Sequence, residues 1–171
     1  MVVVFIKQHL ISMATFTSIL LMAEVSNNSS NALLISLLAT MAFTFFSILV
    51  SSLAKKNFVE PVLLGKIIGH YLKDAPTWLN VTLGTIIHFF TGYIFAEAHL
   101  WFYRILTPAW YNGIFLGLAN GILGALIWYA VIRVYKNFME THVANYLLQL
   151  ILGHVIFGLV IVMMYAPPAL G

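Results

Sequence analysis

From Ala32 to Leu53 the chain carries no charged side chain. A run this long matches the hydrocarbon core of a bilayer, which takes about 20 residues of helix to cross. No water reaches the backbone N–H and C=O groups at that depth, so the segment must satisfy them itself as a helix. Runs of the same character follow at 79–103, 113–134 and 145–166. The N-terminal stretch 2–23 reads as a further span whose Lys7 snorkels to the near surface. A cleavable signal peptide would place its positive charge ahead of the apolar region and end at small-residue cleavage signals, which are missing here. The expected fold is therefore all-α: a polytopic bundle of five membrane helices, or four if the N-terminal stretch does not cross.

Composition excludes the main alternatives. The chain is 62% hydrophobic and only 8% charged over 171 residues, where soluble domains carry about 25% charged residues. It is read as a single integral membrane domain, 1–171, with no separate soluble part. The net charge of +3 comes from basic residues spread along the chain, a pattern that does not suit nucleic acid. The absence of cysteine rules out disulfides, iron–sulfur clusters, thiolate zinc sites and covalent c-type haem attachment.

Charge placement sets an expected orientation. With the N-terminus inside, Lys7, Lys55, Lys56, Lys66, Lys73, Arg133 and Lys136 fall on the inner side and Arg104 alone falls outside. That is the direction of the positive-inside rule, and it puts the C-terminus outside a bacterial cytoplasmic (inner) membrane. Trp101, Tyr103, Trp110 and Tyr111 flank the outer hairpin, where an aromatic belt belongs. The segment 60–73 is too polar to span. Pro61 suits a first helical turn, after which Leu64, Ile67, Ile68 and Tyr71 share one face and Lys66, Gly69, His70 and Lys73 the other. This predicts an amphipathic helix lying in the inner interface.

Small residues at spacing four mark close helix contacts in membranes. They occur as Gly84, His88, Gly92 and Ala96 in one span, and as Gly113, Gly117 and Gly121, with Gly124 beyond, in the next. Gly153 and Gly158 mark the last span. These glycines read first as packing devices. Asn120 and Gln149 are expected to bridge neighbouring helices by hydrogen bonds.

His88 and His154 are the residues that point at chemistry. Each lies near the centre of an apolar span and is followed four residues later by glycine, Gly92 and Gly158. An ionisable side chain at that depth is expensive and marks a candidate functional site. If the two spans are centred near residues 90 and 155, the imidazoles share a depth on parallel helices. Three readings follow, one of them the handling of protons or a metal ion by the pair. Each histidine locks helices together by hydrogen bonds to partners such as Thr40, Thr44, Ser47, Thr85 or Thr91. Alternatively, His88 and His154 are axial ligands of haem b or another tetrapyrrole, with Gly84, Gly92 and Gly158 letting the flat macrocycle approach the backbone. A bare metal ion is disfavoured, because no carboxylate or cysteine is placed beside them by the sequence. No nucleophile–base arrangement and no inverted repeat can be found, so neither an enzyme nor a transporter is expected.

The motifs Gly84-Thr-Ile-Ile-His88-Phe-Phe-Thr-Gly92, Gly113 through Gly124, and Gly153-His154-Val-Ile-Phe-Gly158 resemble a group of small, uncharacterised bacterial multi-pass membrane proteins with paired His-x-x-x-Gly helices. The chain departs from that group in its polar outer end, at Glu97 and His99. The resemblance implies a bacterial inner-membrane protein and brings no activity with it. The expected function is that of an accessory or structural subunit, partnered by the lipid bilayer and by other membrane subunits or further copies of itself. The alternative is an electron-transfer or pigment protein using His88 and His154.

Overall fold

The computed structural model describes residues 32–135 and 142–166. Within them lie α1 (Ala32–Ala54), α2 (Glu60–Tyr71), α3 (Thr77–Phe102), α4 (Trp110–Val134) and α5 (Val143–Tyr165), and no strand. All but α2 are long and apolar enough to cross a membrane. The expected N-terminal span, 2–23, lies outside the described residues.

Local chemistry explains the boundaries. α1 ends where Lys55 takes a left-handed backbone, φ 51°, just past the uncharged run. Pro61 occupies the first turn of α2, where its missing N–H is no loss. Pro76 precedes α3, and the Pro108 loop separates α3 from α4.

The burial of α2 differs from the face expected of it. Glu60, Pro61, Leu63 and Gly65 are buried, whereas Tyr71, expected on the apolar face, is 69% exposed. The reason is a backbone-to-backbone crossing with α3. A Cβ on Gly65 would stand 2.9 Å from the Val81 Cα, and one on Gly84 would meet the Pro61 carbonyl and the Gly65 backbone. The small side of α2 therefore turns inward.

Around the bundle α4 packs closely on α5, α5 on α1, and α1 on α3, with α2 laid along α3. α3 and α4, although consecutive in sequence, barely touch. The α4–α5 seam is built from glycine: Gly113 and Gly117 face Gly158, and Gly121 would place a Cβ 2.8 Å from the Ile151 Cα. Such close approach is how helices associate where lipid offers no hydrophobic drive. Among the described residues the ring of helices is left open on its α3–α4 side.

Candidate intramembrane site

The open side leads into a cavity of about 190 Å³ to which all five helices contribute. Its walls are mostly apolar, with Phe43 of α1, Phe95 of α3, Trp128 of α4 and Phe157 of α5 among them. The polar groups on it are His88, His154, Thr40, Thr91 and Glu60. Thr91 and Ile127 line the cavity from α3 and α4 and are exposed, which places the mouth between these helices.

His88 is fixed across a helix contact. Thr44 gives its hydroxyl hydrogen to the Thr40 carbonyl at 2.8 Å, so its oxygen is left to accept from His88 Nε2–H at 2.9 Å. The Nδ1 of His88 then carries the ring's lone pair. His154 is fixed within its own helix, Nδ1–H donating to the Leu150 carbonyl at 2.8 Å, so its lone pair is on Nε2. Gly124 sits beside that end of the ring, where an added Cβ would be 3.2 Å from Cε1 and 3.6 Å from Nε2. Phe43 stands against both imidazoles, with centroids 5.6 Å from His88 and 4.9 Å from His154. Each ring thus has one nitrogen held by the protein and one acceptor nitrogen to spare.

The sequence motifs divide on this geometry. His88, Gly92 and His154 come together on the cavity. Gly84 and Gly158 do not: Gly84 seats α2 and Gly158 seats α4. Gly92 has a packing role as well, because a Cβ there would meet the Thr40 side chain. Of the two amides, Gln149 donates to Ser47 Oγ at 2.6 Å and Asn120 lies 3.1 Å from His99 Nδ1, so both bridge helices. The atom of Asn120 that meets this nitrogen is Nδ2, and the same His99 Nδ1 lies 2.9 Å from the Phe95 carbonyl.

Glu60 is the functional candidate that sequence reasoning passed over. Its side chain is 2% exposed, lines the same cavity as the imidazoles, and has no hydrogen-bond partner on either carboxyl oxygen. Burial pushes its carboxyl up to about 7, against the smaller opposing pull of its own backbone N–H and of neighbouring Ser47 and Gln149. Among the described residues no group of three or more His, Cys, Asp or Glu side chains could hold a metal ion.

No family model matches this chain, and no curated protein or solved structure is similar to it.

Proposed function

We propose that the protein binds, within the bilayer, a lipid-soluble molecule whose head carries a hydrogen-bond donor such as a hydroxyl. The observation behind this reading is the pairing of two spare imidazole acceptors with a cavity that opens sideways between α3 and α4. A volume of about 190 Å³ is too small for a whole drug-sized ligand, since such pockets run to about 300–1,000 Å³. It suits a head group whose tail remains in the acyl region. The aromatic walls supply flat apolar contact, and His88 Nδ1 and His154 Nε2 accept from the head.

In the orientation favoured by the positive-inside rule, α2 lies at the cytoplasmic face of a bacterial inner membrane and the mouth of the cavity opens at mid-bilayer. The accessory-subunit reading draws on small size, short loops and the lack of a catalytic set in the sequence, so the cavity is the more specific feature.

Native mass spectrometry of the detergent-solubilised protein tests the proposal. A retained lipid-soluble molecule is expected in the wild type and is lost in His88→Phe and His154→Phe variants that still fold. Equal retention in all three would overturn it. An absorption spectrum of the same sample addresses the tetrapyrrole alternative, because a Soret band dependent on both histidines would identify the bound molecule as a macrocycle.

A further inference from the structure

Glu60 poses a separate problem. A bare carboxylate in an apolar interior is far too costly to persist unless paired or neutralised. Yet neither of its oxygens is hydrogen-bonded, and no cation of the described residues pairs with it. Its polar surroundings are neutral and rich in oxygen. Ser47 of α1 is fully buried and takes a hydrogen from Gln149, which leaves its own hydroxyl hydrogen free. Tyr146 of α5 is fully buried beside Glu60, its hydroxyl without a partner, and the Gln149 amide oxygen is likewise unpartnered. The titratable groups that face the carboxyl are Tyr146 from α5 and, across the cavity, His154 from α5 and His88 from α3. α1 offers only the Ser47 and Thr40 hydroxyls, and α4 adds Trp128 to the cavity wall.

We infer that Glu60, Ser47, Tyr146 and Gln149 form a binding site for one monovalent cation, a proton or Na⁺. One negative charge among neutral oxygens balances a single positive charge, and hard cations take oxygen ligands. All-protein divalent sites usually draw on more than one carboxylate, and among the described residues Glu60 alone supplies one to this cavity. A proton satisfies the same group by turning it into a donor. The raised carboxyl places the exchange near neutral pH. This inference does not rest on the ligand reading of the cavity, because it concerns groups on α1, α2 and α5 that either outcome for His88 and His154 leaves in place.

A lipid-soluble carbodiimide tests it, since the reagent adds to a protonated carboxyl in apolar surroundings. The full chain in detergent or liposomes is treated with dicyclohexylcarbodiimide across a pH series, with NaCl or with choline chloride at equal ionic strength. Adducts are mapped by mass spectrometry, with Glu60→Gln as the unlabelled control. The expected result is a single adduct at Glu60 that falls several-fold as pH rises through neutrality. If Na⁺ but not choline lowers labelling at fixed pH, Na⁺ is a cation of the site; if only pH does so, the site holds a proton alone. Ser47→Ala and Tyr146→Phe are expected to shift the midpoint of protection while labelling persists. An adduct whose yield is constant over the pH series, or no adduct on the folded protein, would overturn the inference.

Discussion

Replacing Glu60 by glutamine should change how stability depends on pH. The wild-type carboxyl moves from an ordinary 4.5 to about 7 on burial in the folded bundle. The folded state therefore holds this proton more tightly than the unfolded state does. The stability it contributes is complete below pH 4.5 and is lost as pH rises through 7. Each unit of difference corresponds to about 1.4 kcal/mol, so the loss across this window is on the order of 3 kcal/mol. Glutamine cannot ionise and has nearly the same shape, so Glu60→Gln should be flat over the same window. The two proteins differ at this one group, so contributions common to both cancel in the comparison. The assay is unfolding in mixed micelles by increasing sodium dodecyl sulfate, followed by circular dichroism and repeated across the window. Parallel pH profiles for the two proteins would refute the reasoning, and would mean that Glu60 reaches water despite its burial.

Thr44→Val removes the acceptor for His88 Nε2–H and should cost about 1 kcal/mol in the same unfolding assay. Ser47→Ala strands the Gln149 amide and should cost about 1–3 kcal/mol, with no effect from a control Ser52→Ala on the exposed end of α1. Gly117→Leu drives a side chain into the His154 carbonyl and should cost about 1–3 kcal/mol or more. Its signature is loss of a monodisperse peak in size-exclusion chromatography. Gly124→Leu instead points at the His154 ring on the cavity wall, where the neighbour is a side chain. This variant should fold with near-wild-type stability yet lose any retained lipid-soluble molecule in native mass spectrometry; retention would argue that the molecule binds elsewhere.

Four helices long and apolar enough to span, and the two central histidines on them, were legible because hydrocarbon imposes simple rules on length and on ionisable groups. Period and depth were enough to pair His88 with His154. They could not bring Glu60 to the same cavity. A glutamate just ahead of a proline is what an ordinary solvent-facing helix start looks like, because a negative charge there complements the helix dipole. Its burial comes from the Gly65–Gly84 crossing, a contact between α2 and α3 that neither helix announces alone. The same crossing explains why Tyr71, rather than the lysine face alone, ends up exposed. For that tertiary reason Glu60 lines the same cavity as His88 and His154, although among the described residues the three make no cluster that could hold a metal ion.

The cavity itself follows from where the small residues went. α4 turns Gly113, Gly117 and Gly121 toward α5, and α3 turns Gly84 toward α2 and Gly92 toward α1. Close approach in a bilayer depends on such residues. With these committed elsewhere, the cavity walls that α3 and α4 share are lined by side chains as large as Phe95, Ile127, Trp128 and Val131. Side chains of that bulk hold two backbones apart, so these consecutive helices separate where a hairpin pair would ordinarily close. Gly124 is the exception: it lies one turn beyond the α4 seam and faces the His154 ring, which leaves room at the imidazole's free end. A stripe of glycines read as packing therefore also determines, by what it leaves unpacked, where the described helices stand apart and leave a cavity beside His154.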